Sequence, residues 1–186
     1  MNKDQVRKSI GERVSQMSDK DRDIESRSAC RRLREVISDD PCSVCAYYPF
    51  KSEVDVRCLI KDLVDAGYEI YLPCFDINGF KFRLFSGESD LSAGQLGVME
   101  PSKSSKLLDP SDAKFVIVPG RAFDISGNRL GRGNGGYDYW ISAQREANPD
   151  TEFLGVCFEC QVIREVPVEG HDEVMDDVVT CRGVLS

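Results

Sequence analysis

The chain has 186 residues, 41% of them hydrophobic and 30% charged, with a formal net charge of −8 at pH 7. That length suits one domain, residues 1–186, with a single core, and no apolar run approaches the roughly 18 residues a membrane span needs. The acidic balance argues against nonspecific nucleic-acid binding, which rests on many basic groups neutralising phosphates, and the polar start, Met1-Asn2-Lys3-Asp4-Gln5, has no hydrophobic export core, so a cytoplasmic protein is expected.

Residues 3–17 read as a helix, because Val6, Ile10, Val14 and Met17 recur at helical spacing. Lys3 and Arg7 share its polar side, and spacing alone favours a solvated basic face there. Ser18 with Asp21 resembles a capping box opening a second helix to about Ile37, stopped by Ser38-Asp39-Asp40-Pro41. Ser43 to Tyr48 is a strand closed by Pro49. Ser52 and Asp55 form another Ser-x-x-Asp start, before a helix with Val56, Leu59, Ile60, Leu63 and Val64 on one face and its end at Gly67. Tyr68 to Leu72 is the next strand, closed by Pro73. Loops this short between strand, helix and strand imply parallel neighbours and a right-handed crossover.

Phe80 to Phe85 alternates apolar and polar residues after a turn at Asn78-Gly79. Residues 86–112 are rich in Ser, Gly, Asp and Pro and read as an irregular excursion, after which Lys114 to Val118 returns as a buried strand. Tyr137 to Ala147 is a helix, Glu152 to Phe158 a strand, 159–165 a short turn or helix, and Val178 to Cys181 a last strand. Strands alternating with helices make this an α/β protein, a mainly parallel sheet covered on both faces, with ligands expected at the carboxyl ends of its strands.

Five glycines fall within residues 127–136, interleaved with Arg129 and Arg132, between the strand ending near Val118 and the helix starting near Tyr137. Glycine lets a ligand approach backbone amides closely, and a helix N-terminus presents N–H groups with partial positive charge. Two guanidinium forks add donors suited to phosphate oxygens. The loop therefore reads as a polyphosphate cradle. A Walker loop is excluded, since no Gly-Lys is followed by Ser or Thr. Gly131, Gly133 and Gly136 do satisfy G-x-G-x-x-G, with Glu159 beyond the next strand, so a dinucleotide is an alternative. Its first glycine should follow the strand at once, however, and here some ten residues intervene between Gly120 and Gly131. Asp138, in the first turn of the helix, suits either the helix dipole or a Mg²⁺ ion beside phosphates. Asp172 is a second metal candidate, and Glu53 stands just beyond the first strand at the ligand edge of the sheet. Eight cysteines include Cys42-x-x-Cys45 and Cys157-x-x-Cys160, superficially a zinc pattern, but their placement on strands and the single histidine, His171, weigh against it.

Pro119-Gly120-x-Ala122-Phe123-Asp124, with Arg129-Leu130-Gly131-Arg132-Gly133-Asn134-Gly135-Gly136-Tyr137-Asp138, resembles the signature of 5-formyltetrahydrofolate cyclo-ligases. Supporting matches are Lys3-x-x-x-Arg7, Tyr48-Pro49, Glu53-Val54-Asp55, Leu72-Pro73, Gly97-x-x-Glu100-Pro101, Gln161 and His171-Asp172. The resemblance implies a three-layer α/β sandwich similar to sugar-phosphate isomerase and CoA-transferase folds. It implies Mg²⁺- and ATP-dependent conversion of 5-formyltetrahydrofolate to 5,10-methenyltetrahydrofolate. By the same resemblance Lys3, Arg7, Arg129, Gly131, Arg132, Gly133, Asn134, Gly135, Gly136 and Tyr137 bind ATP, with Arg129 and Arg132 catalytic. Tyr48, Glu53 and Phe75 bind the folate, and Asp138 and Asp172 hold the metal. A monomer or weak dimer is expected. Gly136 stands where the family commonly has the first of two tyrosines, and Leu96 where it often has an aromatic residue, which motivates a noncatalytic folate- or nucleotide-binding relative as the alternative.

Overall fold

The computed structural model describes residues 1–76, 79–94, 97–133 and 135–185. The chain begins with α1 (Lys3–Gln16), which buries Val6, Ile10 and Val14. Its cap is a reciprocal pair the sequence reading passed over: Asn2 Oδ1 accepts from Gln5 N–H at 2.9 Å, and Gln5 Oε1 accepts from Asn2 N–H at 3.0 Å. Helix α2 (Asp19–Val36) starts at Ser18, as expected, with the hydroxyl accepting from Asp21 N–H at 3.1 Å.

Strand β1 (Ser43–Cys45) is shorter than its apolar run. After Ala46 N–H bonds Tyr71 O at 2.8 Å the chain leaves the sheet, and Tyr47 is turned inward by a buried bond from its hydroxyl to Val54 O at 2.8 Å. Helix α3 (Arg57–Asp65) has no side-chain bond at its N-cap, Val56. Ser52 is not its cap; Asp55 instead accepts from Arg57 N–H at 3.1 Å and pairs with the Arg57 guanidinium. The helix closes at Gly67, whose φ of +90° admits glycine without strain.

Strand β2 (Glu69–Asp76) runs straight through Pro73, where the sequence suggested a stop. The alternation of backbone groups explains it. Tyr71 O faces β1, and Ile70 O faces the other side, where it accepts from Phe85 N–H at 2.8 Å. Pro73 therefore faces the β1 side, but β1 ends opposite Tyr71, so the absent N–H meets no partner strand. Strand β3 (Gly79–Leu84) then pairs antiparallel with β2. Asn78 of the expected turn lies outside the described residues. The stretch read as irregular contains a small hairpin, β4 (Leu91–Ala93) with β5 (Met99–Pro101).

Then come β6 (Ala113–Pro119), a ribbon of β7 (Ala122–Phe123) and β8 (Arg129–Leu130), α4 (Gly136–Ala147), β9 (Glu152–Val156), β10 (Asp177–Thr180) and β11 (Gly183–Val184). The main sheet has seven strands in the order β11-β10-β9-β6-β1-β2-β3. Its inner pairs are parallel and its two edge pairs antiparallel. Side chains alternate between two buried clusters. Val44, Ile70, Leu72, Ile117 and Leu154 pack with α1, α2 and α3, whereas Cys45, Tyr71, Val116, Val118 and Phe153 pack with Ile141 of α4. Two helical layers thus sandwich the sheet, the three-layer α/β arrangement expected. Among the described residues no helix is long and apolar enough to cross a membrane.

Candidate active site

In this sheet the chain runs from β1 outward to β2 and β3, then crosses to β6 on the other side of β1. Such a reversal opens a crevice at the carboxyl ends of the two central strands. The loops that leave β1 and β6 border it, and the glycine-rich segment closes it.

That segment is shaped by a few contacts. The β7–β8 ribbon occupies the interval between Gly120 and Gly131, with Arg121 N–H bonding Leu130 O at 2.7 Å. A strand feeding a dinucleotide loop directly is therefore absent here, and the G-x-G-x-x-G match has no matching geometry. Asp124, 2% exposed, builds the ribbon's turn by accepting from Ser126 and Asn128 N–H at 3.0 and 3.1 Å. Its other oxygen takes the Asn128 side chain at 3.0 Å and Val166 N–H at 2.9 Å. Gly133 has a φ of +102°, and a Cβ there would stand 3.4 Å from the Arg7 guanidinium carbon. Gly135, at φ +66°, is the N-cap of α4 and supplies no capping side chain. Among the described residues the first-turn amides of α4 are thereby left without a side-chain acceptor, the condition for holding an anion.

Two recesses meet at this point. The first, of about 420 Å³, is bordered by Tyr48, Phe50, Glu53, Phe75, Phe80 and Val98 on one side and by Arg132, Gly136 and Tyr137 on the other. The second, of about 610 Å³, is polar and takes in Lys3, Arg7, Gly133, Glu169, His171 and Asp172. Arg129, Gly131, Gly135 and Asp138 belong to both. The structure thus brings all three expected folate residues into the aromatic recess, and Lys3, Arg7 and both expected metal ligands into the polar one. Asn134 and Leu96 lie outside the described residues.

At the junction, Arg129 is 5% exposed. Its Nη2 donates to Asp138 Oδ1 at 2.7 Å and its Nη1 to Pro119 O at 3.3 Å, while its buried Nε has no partner among the described residues. A buried guanidinium held by a single carboxylate is a preorganised positive charge. Arg132 stands apart from it. Its Nη2 donates to Glu53 Oε1 at 2.7 Å, and the guanidinium lies 4.1 Å from the centre of the Phe50 ring. Arg132 therefore faces the aromatic recess rather than the polar one, and so does Tyr137, whose ring packs on Phe80 at 4.8 Å. The Tyr137 hydroxyl is buried without a partner among the described residues, and burial pushes the phenol well above its ordinary value of 10.0.

On the polar side, Lys3 Nζ donates to both oxygens of Asp172, at 2.7 and 2.9 Å, and to Glu169 at 3.0 Å. Burial alone would raise the Asp172 carboxyl; the bonds from Lys3 and Glu169 N–H outweigh it and hold the group below 3.8. Arg7 Nε donates to Gly131 O at 3.0 Å, so α1 is stitched to the glycine loop by its basic face. The solvated-face reading of Lys3 and Arg7 is thus replaced: both are built into the cleft.

Sequence reasoning gave Arg121 and Phe50 no role in the site. Arg121 is half-buried near Arg7 and Arg132; burial first, then repulsion from those two cations, lowers its pKa. The signal was available in its position directly after Gly120. Phe50 gave none, because an aromatic residue in a loop carries no periodicity.

Mg²⁺ fits the donor set on chemical grounds: Asp138, Asp172 and Glu169 offer carboxylate oxygens, the hard donors that ion takes. Asp138 Oδ2 accepts no hydrogen bond from the described residues, whereas both Asp172 oxygens are engaged by Lys3. Glu169, His171 and Asp172 bring possible ligand atoms within 4.8 Å of one another. All eight cysteines are free. Burial pushes the Cys45 and Cys157 thiols upward, against the thiolate a zinc ion needs.

Comparison with known proteins gives a uniform result. A family model described as the 5-formyltetrahydrofolate cyclo-ligase family matches residues 1–181. A probable 5-formyltetrahydrofolate cyclo-ligase of Schizosaccharomyces pombe is 30% identical, over 100% of this chain and 98% of that protein. The Escherichia coli 5-formyltetrahydrofolate cyclo-ligase is 32% identical, over 74% of this chain and 77% of its own. Among solved structures, the Aquifex aeolicus 5,10-methenyltetrahydrofolate synthetase superposes with a TM-score of 0.85 at 29% identity, covering 99% of this chain and 92% of that one.

Proposed function

The chain belongs to the 5-formyltetrahydrofolate cyclo-ligase family, and from that premise we propose that it converts 5-formyltetrahydrofolate and ATP to 5,10-methenyltetrahydrofolate, ADP and phosphate, with Mg²⁺. The whole chain acts as one domain, in the cytoplasm, as a monomer or weak dimer. The observation that carries the reading is the junction of an aromatic recess with a cationic, glycine-lined cleft at Arg129 and Asp138. A flat heteroaromatic substrate and a triphosphate need those two environments, and the reaction needs them to touch.

The chemistry follows from the juxtaposition. The formyl oxygen attacks the γ-phosphorus, the bond to ADP breaks, and the formyl carbon is left as a phosphorylated imidate. N10 of the folate then attacks that carbon, a proton leaves N10, and phosphate departs as the ring closes. Both steps are governed by position and charge rather than by a protein nucleophile. Arg129 and the first-turn amides of α4 face the charge that develops on the transferred group, and Lys3 and Arg7 approach the rest of the triphosphate from α1. Arg132 sits where the two substrates join, bound by Glu53 until ligand competes for it. Asp138 and Asp172 would hold the metal, which when bound supplies positive charge against the phosphate oxygens. The aromatic walls exclude water from the activated formyl group.

Two substitutions divide the recesses. Glu53→Gln removes the charge that fixes Arg132 and borders the folate side; the KM for 5-formyltetrahydrofolate should rise about tenfold with the KM for ATP little changed. Arg132→Ala should cut turnover at a stability cost of about 1–3 kcal/mol, because the guanidinium is 35% exposed but the Glu53 carboxylate left without it is only 9% exposed. Steady-state kinetics with each substrate varied in turn, and thermal melts, check both. The reading itself is tested by incubating the purified chain with 5-formyltetrahydrofolate and Mg-ATP. Methenyl chromophore and ADP should appear one for one. Binding of both ligands with no product would make the chain a noncatalytic relative, the reading that Gly136 at the edge of the aromatic recess would favour.

A further inference from the structure

Glu100 is a buried carboxylate that the reaction does not use. It lies on β5, is 7% exposed, and its Oε1 has no hydrogen-bond partner among the described residues. Burying a carboxyl with so few partners costs stability. Burial raises its pKa from 4.5, and the opposing influences are the nearby backbone amide of Phe75 and the charge of Lys103. The Phe75 amide explains the position. By the alternation along β2, Phe75 points its backbone toward the side that β1 occupies only as far as Tyr71. Beyond that point the N–H would be orphaned at a buried edge. The β4–β5 hairpin lies against β2 there and brings the buried Glu100 toward the vacant donor. Gly94 makes room: a Cβ at that position would stand 2.0 Å from the Glu100 carboxyl carbon. Gly94 N–H also bonds Val98 O at 2.8 Å, which closes the hairpin over this contact. Both Phe75 and Val98 border the aromatic recess.

We infer that Glu100 is a positioning residue for the folate side of the site: it clamps the β4–β5 hairpin onto the free edge of β2 at Phe75, and so holds Phe75 and Val98 at the spacing a flat ring requires. The clamp acts on one substrate only, since neither residue borders the polar cleft. This inference rests on the cyclo-ligase reading for the identity of the ligand, and the test separates the two.

Calorimetric binding of 5-formyltetrahydrofolate and of Mg-ATP is measured for the wild type, Glu100→Ala, Glu100→Gln and Gly94→Ala, together with hydrogen exchange at the Phe75 amide. Glu100→Ala is expected to weaken folate binding at least tenfold, leave Mg-ATP binding unchanged and release the Phe75 amide to exchange. Glu100→Gln keeps an acceptor oxygen and should restore most of the affinity and the protection. Gly94→Ala, which leaves the carboxylate in the chain but displaces it, should reproduce the folate-selective loss even if Glu100→Ala fails to fold. Folate affinity that stays at the wild-type value in both Glu100→Ala and Gly94→Ala, or a parallel loss of both ligands, overturns the clamp while leaving the cyclo-ligase reading standing. A wild type that binds no 5-formyltetrahydrofolate overturns both.

Discussion

Arg129→Ala is expected to abolish turnover and to weaken the fold together. The guanidinium is almost wholly enclosed, and its pair with Asp138 at 2.7 Å joins β8 to the first turn of α4. Removing one member of such a pair leaves the other charged and poorly solvated, at a cost of about 3–5 kcal/mol. For a chain of this length that corresponds to a melting point lower by roughly 10 °C. The catalytic loss should be larger than the structural one explains. An arginine placed on a transferring phosphoryl group contributes at least about 1,000-fold to turnover, so kcat measured well below the new melting point should fall by that order. Arg129→Lys keeps the charge but not the fork that spans Asp138 and Pro119, and should recover stability better than activity. Melts and kcat on both variants check the separation; a full-rate Arg129→Ala enzyme would remove Arg129 from the reaction.

Asp138→Asn carries the second large effect. The amide preserves shape and a bond to Arg129 but cancels the charge that balances it, so some stability is lost here too. Its main consequence is chemical. Asp138 borders both recesses, and its Oδ2 has no partner among the described residues, which leaves that oxygen open to a cation beside phosphate. Turnover should drop about 100-fold at fixed Mg²⁺ and recover in part as Mg²⁺ is raised, because the remaining ligands bind the ion more weakly. Titration of Mg²⁺ against rate, at saturating ATP, distinguishes this from simple destabilisation, which added metal would not relieve at temperatures where the variant is folded.

Much of the architecture was legible in the chain because apolar spacing reports burial directly. Val6, Ile10 and Val14 placed α1, and the runs around Val116 and Leu154 placed two central strands. Pro73 misled because a missing N–H matters only where a neighbouring strand would receive it, and that depends on where β1 stops. The run to Tyr48 misled in the opposite direction, since Tyr47 is buried by a loop contact and not by the sheet. For the site, glycine spacing and two arginines pointed to an anion, but they could not say that Arg129 and Arg132 diverge. Arg129 turns into a buried pair with Asp138, nine positions on, whereas Arg132 is drawn away by Glu53, seventy-nine positions earlier in the chain. The role of Lys3 was invisible to periodicity for the same reason, because its partner, Asp172, lies 169 positions further along. Contacts of that separation are decided by topology, and here the reversal between β1 and β6 gathers them.

In the proposed reaction the aromatic and polar recesses act on one atom, the formyl oxygen, which is passed to phosphorus at their junction. Turnover of 5-formyltetrahydrofolate labelled with ¹⁸O in the formyl group tests it most directly. The label should appear in the released inorganic phosphate, one atom per methenyl product formed. Label recovered in water, with unlabelled phosphate, would contradict it.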